Sequence, residues 1–212
     1  MIPDLLFGLP GDRPGGLALT LILAVVAASA ALVAGLAYAA VCARFPRASM
    51  PAQAGSAFVR GVPLILLVFL LAQSGSLSLP TAGLFALLVY SFVHVGEILR
   101  SFLCAYPRPA IEQARAMGMG AAREWLLLRL PWTLRRAMAA LTTHWVSLLK
   151  DTGALVVLGI GELTTVAKVL SESSTRPNAW VTILLTAGAL YLGATICLIG
   201  SLQLVARRLR LD

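Results

Sequence analysis

The sequence alternates long apolar runs with short polar segments. Five runs approach or exceed the roughly 20 residues that a membrane-spanning helix needs. They cover about residues 16–42, 56–73, 81–100, 137–160 and 179–205. Because an unpaired backbone cannot lie in hydrocarbon, each run is predicted to form a helix. The second run is the shortest, since Arg60 and Pro63 lie near its start.

Composition places the chain among integral membrane proteins. It is 59% hydrophobic and only 12% charged, whereas about a quarter of the residues in a soluble domain are charged. We therefore expect an all-α membrane protein with a single transmembrane domain over residues 1–212. Cys42, Cys104 and Cys197 are scattered singly and form no metal-binding or redox pattern, so we assign them to packing.

The distribution of Lys and Arg predicts the orientation of the five helices. With the N-terminus outside, all but three of the 17 basic residues lie at the inner side. The exceptions are Arg13, Lys168 and Arg176. The positive-inside rule therefore predicts an N-out, C-in topology. Because the basic residues flank spans, the net charge of +8 does not call for a nucleic-acid partner.

The inner segment 101–136 has helical character of its own. A first helix is predicted over 110–117, and Gly118 provides a position where the chain can turn left-handed. A second helix is predicted over 121–130, and Pro131 marks the start of the next element. Two short helices at an angle are therefore expected below the membrane. They either close the inner surface of the bundle or contact another protein.

This segment resembles the EAA motif of ABC importer permeases, which reads E-A-A, three residues, G, nine residues, I-x-L-P. Here Glu112-Gln113-Ala114 is followed after three residues by Gly118, and after nine more by Leu128-Arg129-Leu130-Pro131. Gln113 replaces the first Ala of the motif and Leu128 replaces the Ile. The register of the motif is kept without a gap.

In that family the segment is the coupling helix, which docks into a groove on a cytoplasmic ATPase. The resemblance implies coupling roles for five residues: Glu112, Ala114, Met117, Gly118 and Met119. Glu112 would offer a carboxylate to the partner and Gly118 the turn. The two methionines would offer an adaptable apolar surface.

Four further stretches resemble the polar amino-acid uptake subfamily, which includes histidine, glutamine and arginine importers. They are GLALTLILA (16–24), VRGVPLILLVFLL (59–71), VHVGEILRS (93–101) and LLKDTGALVVLGIGEL (148–163). Departures from the subfamily pattern, such as His94 for Tyr and Gly153 for Ser, concentrate near the expected translocation path. The resemblance implies the five-helix core of the small binding-protein-dependent permeases.

The same resemblance implies the partners and the location. We expect a cytoplasmic ABC ATPase dimer, an external solute-binding protein and a second permease subunit, with a heterodimer favoured over a homodimer. The chain has no Gly-x-x-x-x-Gly-Lys-Ser/Thr pattern, so we expect no enzymatic activity and no cofactor on this chain, with ATP and Mg²⁺ bound by the ATPase. The expected location is the bacterial inner membrane, as a multi-pass protein.

The expected substrate is a polar amino acid. An opine or another amino-acid derivative remains an alternative within the same class. A secondary carrier that works without ATP is a different class, but such folds usually carry internal repeats and more spans. The coupling segment is the feature that separates the two classes, because a carrier has no use for it.

Ionisable residues at membrane depth are costly and mark candidate sites. The candidates for the translocation path are His94, Glu97, Lys150, Asp151 and Glu162. His94, Glu97 and Arg100 are spaced by three and share a helix face. They either line the path or, for Glu97 and Arg100, form a structural ion pair.

The remaining candidates have similar alternatives. Lys150 and Asp151 precede Thr152 and Gly153, which predicts a helix interruption facing the path or forming a hinge. Glu162 either meets substrate near the outer end or ends a helix in solvent. A lone histidine among apolar residues, such as His144, is more often a satisfied core group.

Overall fold

The computed structural model describes residues 1–11, 14–47 and 49–210, with side chains up to Arg208. Arg13, which the charge pattern places outside the membrane, and the side chain of Arg210 fall outside this part of the chain. Across the described residues the fold is helical and contains no strand, only one isolated bridge between Gly16 and Glu162. The all-α prediction is therefore confirmed.

Ten α-helices, one π-helix and one 3-10 helix follow one another in the described residues. They are α1 (Ile2–Phe7), α2 (Gly16–Arg44), α3 (Met50–Gly61), α4 (Leu64–Gln73), α5 (Leu79–Cys104), α6 (Arg108–Ala116), α7 (Ala121–Glu124), the π-helix (Trp125–Arg129), α8 (Leu130–Asp151), the 3-10 helix (Thr152–Leu158), α9 (Leu163–Ser173) and α10 (Ala179–Arg210).

Three of these helices, α2, α5 and α10, are long and apolar enough to cross a membrane on their own. The predicted second span is not one straight helix. It is formed by α3 and α4, which meet at an angle of 101° and count as a fourth span only if taken together. The break falls at Val62, whose backbone is extended (φ −86°, ψ 126°), because a following proline disfavours the helical conformation.

The predicted fourth span also differs from the observed helix. The run 137–160 is occupied by α8, which begins earlier, at Leu130, and ends at Asp151. The 3-10 helix follows and ends at Gly159, which has a left-handed φ of +68°. The interruption predicted after Asp151 is therefore confirmed.

The second short helix of the inner segment does not stop at Pro131. Instead α7, the π-helix and α8 run on without a break, because the residues at both junctions, Glu124, Trp125, Arg129 and Leu130, keep helical dihedrals. Pro131 cannot donate the usual backbone hydrogen bond of an α-helix, and the wider π-helix lies directly before it. We call the continuous segment 121–151 the inner rod.

The bundle is organised around α2 and α5. Small residues recur every four positions on α2, and Ala27, Ala31 and Ala39 are almost completely buried. At Gly35, an added Cβ would lie 3.0 Å from the backbone nitrogen of Gly96 on α5. Small residues at such an interface let two membrane helices approach closely. The polar residues of α5 are thereby held beside α2 and α8.

Candidate functional site

The inner segment begins with an exposed helix that ends at a glycine. Helix α6 spans Arg108–Ala116, and Gly118 has a φ of +78°. The backbone nitrogen of Met119 donates to the carbonyl of Ala114 at 3.0 Å, which closes the turn. This is the left-handed helix end that the sequence predicts, and a residue with a Cβ adopts it only with strain.

The side chains of α6 divide into a buried and an exposed set. Ala114 is 1% exposed and fixes the helix against the protein, whereas Met117 is 78% exposed. Glu112 and Gln113 are exposed too, and Met119 is half-buried. No ion pair involves Glu112 within the described ranges. The exposed part of this segment therefore carries a carboxylate without an ion-pair partner among the described residues and, at its end, an exposed apolar side chain.

A buried carboxylate lies behind this exposed face. Glu124, the last residue of α7, is 2% exposed. Its Oε2 lies 3.4 Å from Nη2 of Arg115 on α6, and its Oε1 lies 3.7 Å from Nε of Arg129. The guanidinium of Arg129 also lies over the ring of Trp125, 5.5 Å from its centre. One carboxylate thus links α6 to the inner rod.

The ion pair expected on α5 is present. Arg100 donates from Nε and Nη2 to Oε2 of Glu97, both at 2.8 Å. The hydroxyl of Tyr38 on α2 donates to Oε1 of Glu97 at 2.6 Å. Glu97 is buried, and both of its oxygens are occupied. This arrangement fastens α5 to α2 and is the geometry of a structural ion pair.

His94 does not join Glu97 and Arg100 in one row. Its Nδ1 donates to the backbone oxygen of Tyr90 at 2.8 Å, and its ring stacks on that of His144, with centres 5.3 Å apart and planes 9° from parallel. Nε2 of His144 is within 3.1 Å of the hydroxyl of Ser91. The two histidines therefore form a pair between α5 and α8.

Lys150 and Asp151 lie at the end of α8, before the 3-10 helix. Lys150 is exposed and Asp151 is half-buried. An added Cβ at Gly153 would lie 2.9 Å from Oγ1 of Thr164 on α9. This chain has glycine at position 153, where the subfamily pattern has serine. The missing side chain permits a close approach between the 3-10 helix and α9.

Glu162 is completely buried rather than in solvent, which corrects one of the two expectations for this residue. It caps the N-terminus of α9 and accepts hydrogen bonds from the backbone nitrogens of Thr164 (2.9 Å) and Thr165 (2.8 Å). It also accepts hydrogen bonds from the hydroxyls of Thr165 (3.1 Å) and Tyr191 (3.0 Å). Nearby, the backbone nitrogen of Gly16 donates to Gly161. These hydrogen bonds occupy both oxygens of Glu162, so its role at the junction of α2, α9 and α10 is to hold the helices together.

Sequence reasoning missed several partners of these residues. Sequence patterns assign no role to Glu124, Tyr38 or Tyr191. The long-range bonds of Tyr38 and Tyr191 join different helices, so no local spacing reveals them. For Glu124 one local signal existed, since a charged residue in the amphipathic stretch 121–130 lies beside two arginines, Arg123 and Arg129.

A family model matches most of the chain. It is described as binding-protein-dependent transport system inner membrane component and matches residues 31–211. The chain is 31% identical over 156 residues to the probable glutamine ABC transporter permease protein of Bacillus subtilis, which covers 71% of this chain and 70% of that protein. It is 28% identical over 153 residues to the arginine ABC transporter permease protein of Haemophilus influenzae, with 66% and 67% covered.

A third relative transports an opine by its description. The nopaline transport system permease protein of Agrobacterium fabrum is 30% identical over 140 residues, covering 56% of this chain and 58% of that protein. Among solved structures, an amino acid ABC transporter crystallised with histidines matches at TM-score 0.79 and 24% identity, covering 98% of this chain and 94% of that one.

The inward-facing MetNI methionine ABC transporter shares the same fold. It matches at TM-score 0.77 and 18% identity, covering 90% of this chain and 92% of that one. At such identities the two solved structures establish the architecture and not the substrate.

Proposed function

The chain belongs to the family of binding-protein-dependent transport system inner membrane components, and we propose that it is the permease subunit of an ATP-driven ABC importer for polar amino acids. The observation that carries this proposal is the exposed helix α6. It presents the exposed Glu112, which forms no ion pair with a described residue, and is followed by the 78% exposed Met117 and the left-handed Gly118. A protein that worked without a cytoplasmic partner would have no use for such a surface.

We propose five spans with the N-terminus outside and the C-terminus inside. The spans are α2, the bent pair of α3 and α4, α5, α8 and α10. The charge pattern supports this arrangement, because it places α6 and most of the arginines at the cytoplasmic side of a bacterial inner membrane. The amphipathic start of α8, which carries Arg135 and Arg136, would lie at the interface rather than in hydrocarbon.

The partners follow from this assignment. A separate ABC ATPase dimer would bind ATP and Mg²⁺ and dock on α6. A solute-binding protein would deliver the substrate from outside. We propose a second, non-identical permease as the other half of the path, since this chain departs from the subfamily pattern at His94 and Gly153.

In the proposed mechanism, ATP closes the ATPase dimer, α6 follows that movement, and the inner rod carries it to α8. The path then opens toward the docked binding protein. The residues of this chain that we place along the path are His94 and Asp151, with Lys150 at its border. The paired Glu97 and the four-fold hydrogen-bonded Glu162 are better suited to holding helices together, because their oxygens are already occupied.

A second candidate substrate class is supported by the relatives. Permeases for nopaline and octopine are each about 30% identical to this chain, which is close to the identity with the glutamine permease. Opines are amino-acid derivatives, so both candidates share the ammonium and carboxylate groups that a permease would meet.

The test is purification of the tagged chain from its own membranes, followed by identification of what accompanies it. We expect a P-loop ATPase and a second permease of similar length. An ATPase with this chain alone would indicate a homodimer. A monodisperse chain without any ATPase would refute the importer assignment. Uptake of glutamine, arginine and octopine by the reconstituted complex would then separate the two substrate classes.

A further inference from the structure

A buried ion cluster lies between the coupling helix and the inner rod. The carboxylate of Glu124 is 2% exposed and lies within 4 Å of two guanidinium groups, at 3.4 Å from Arg115 and 3.7 Å from Arg129. A buried carboxylate is costly unless it is paired. The cluster is therefore a built feature of the fold and not a chance surface contact.

The three residues belong to different parts of the inner segment. Arg115 lies in the last turn of α6, whereas Glu124 and Arg129 lie at the start of the inner rod. The backbone that joins α6 to the rod is residues 117–120 and contains Gly118 and Gly120. A short link with two glycines constrains an angle weakly. The ion cluster adds a side-chain contact between the charged end of α6 and the rod.

The cluster is incompletely bonded in this conformation. Oε1 of Glu124 and Nε of Arg129 are both buried, and neither has a hydrogen-bond partner within the part of the chain that the structure describes. Their separation of 3.7 Å exceeds that of a hydrogen bond by roughly 0.7 Å. A side-chain movement of this size at Glu124 or Arg129 would make this bond. The cluster can therefore have a looser and a tighter arrangement.

The inner rod reaches from this cluster to the interior polar residues. Its first part is anchored by Trp125, which packs against the buried cluster formed by Leu99, Leu103 and Leu141, among others. Thirty-one helical residues extend about 45 Å, and the rod contains His144 and ends at Asp151. A change of angle at Glu124 would therefore displace the far end of the rod.

We propose that Glu124 is a positioning residue that fixes the angle between α6 and the inner rod, so that movement of α6 is transmitted to α8. Arg115 and Arg129 are its partners, and the looser and tighter arrangements of the cluster belong to different stages of the transport cycle. This inference rests on the proposed function, because it concerns transmission from a docked ATPase. It assigns a role to a residue in the nine-residue spacer of the EAA motif, a position whose identity the motif leaves open.

The experiment compares variants of the complete complex in proteoliposomes. Uptake of radiolabelled arginine and glutamine and hydrolysis of ATP are measured on the same vesicles. Glu124→Gln and Arg115→Gln are each expected to lower the ratio of solute transported to ATP hydrolysed by about fivefold or more. Arg123→Gln is the matched control. It removes a neighbouring exposed arginine that forms no ion pair with a described residue, and the ratio is expected to stay unchanged.

Arg115→Gln disturbs the fold less than Glu124→Gln, because the Arg115 side chain is 62% exposed and Arg129 still faces the Glu124 carboxylate. If the Glu124→Gln complex does not assemble, the ratio of transport to ATP hydrolysis in the Arg115→Gln complex tests the inference. An unchanged ratio in the assembled variants would overturn the inference while leaving the importer assignment intact. A wild-type preparation without an ATPase would instead refute the proposed function and this inference together.

Discussion

Two glutamates that the sequence singles out, Glu112 and Glu162, have opposite surroundings. Glu112 lies on the exposed face of α6 and forms no ion pair with a described residue. Glu162 is fully buried and accepts four hydrogen bonds at the junction of α2, α9 and α10. Both carry the same chemical group. The Glu112 carboxylate is accessible to a partner, whereas the Glu162 carboxylate is occupied by hydrogen bonds within the protein.

The difference separates Glu112, for which we propose a coupling role, from Glu162, which holds the fold together. A buried carboxylate that accepts several hydrogen bonds has no capacity left for a ligand, so its loss acts on stability. An exposed carboxylate contributes little to stability, so its loss acts on association with another protein. Measurements of stability and transport on the same variants can therefore test the comparison directly.

The largest effect is expected for Glu162→Ala. This change leaves the first backbone N–H groups of α9 and the Tyr191 hydroxyl without their acceptor. Loss of a helix cap together with a buried acceptor costs roughly 3 kcal/mol. We expect a lower thermal midpoint in detergent and a lower yield of monodisperse protein. A Glu162→Gln variant with normal stability but no transport would contradict this structural role and indicate that Glu162 lines the translocation path.

Glu112→Lys is expected to give the opposite result. Because the side chain is exposed, stability should change by less than about 0.5 kcal/mol. Reversal of the charge at a docking surface should reduce transport at least about tenfold. Glu172→Lys makes the same charge change at an exposed position of α9 and serves as the control. Equal transport by the two variants would show that Glu112 does not contribute to the proposed coupling surface.

Gly118→Ala tests the role of the left-handed turn after α6. A Cβ at Gly118 meets no neighbour within 4 Å, so the cost arises only from its φ of +78° and amounts to about 1 kcal/mol. We expect transport to fall by about fivefold, with insertion unaffected. Gly120→Ala is the matched control, because Gly120 is equally open but has a φ of −69°. Similar transport by the two variants would show that the left-handed turn is dispensable.

The smallest effect is expected for Asp151→Asn, which removes a charge and keeps the shape of the side chain. Asp151 is half-buried at the end of α8, so we expect uptake to decrease more than thermal stability. Glu172→Gln is the control for loss of an exposed acidic group. An equal decrease of uptake and stability for Asp151→Asn would make it a folding residue like Glu162.

Several features of the inner segment and of α8 could be predicted from the sequence. The helix before Gly118, the left-handed turn and the interruption after Asp151 are encoded locally, by glycine, proline and the apolar pattern. The pairing of Glu97 with Arg100 also follows from their spacing by three on one helix. In contrast, Pro63 and Pro131 have opposite outcomes, since the helix breaks before Pro63 and continues through Pro131, and the local sequence pattern did not distinguish them.

The sequence by itself determined that this is a helical membrane protein with a hinged, charged segment in the register of a coupling loop. These features follow from local propensity, hydropathy and residue spacing, which act between residues that are close in the sequence. Only the tertiary structure decided what Glu124, Glu162 and the histidines contact, because at least one partner of each lies on another helix. Hydrogen bonds such as that from Tyr38 to Glu97 join residues 59 positions apart. They exist because the helices pack closely enough to bring the two groups together.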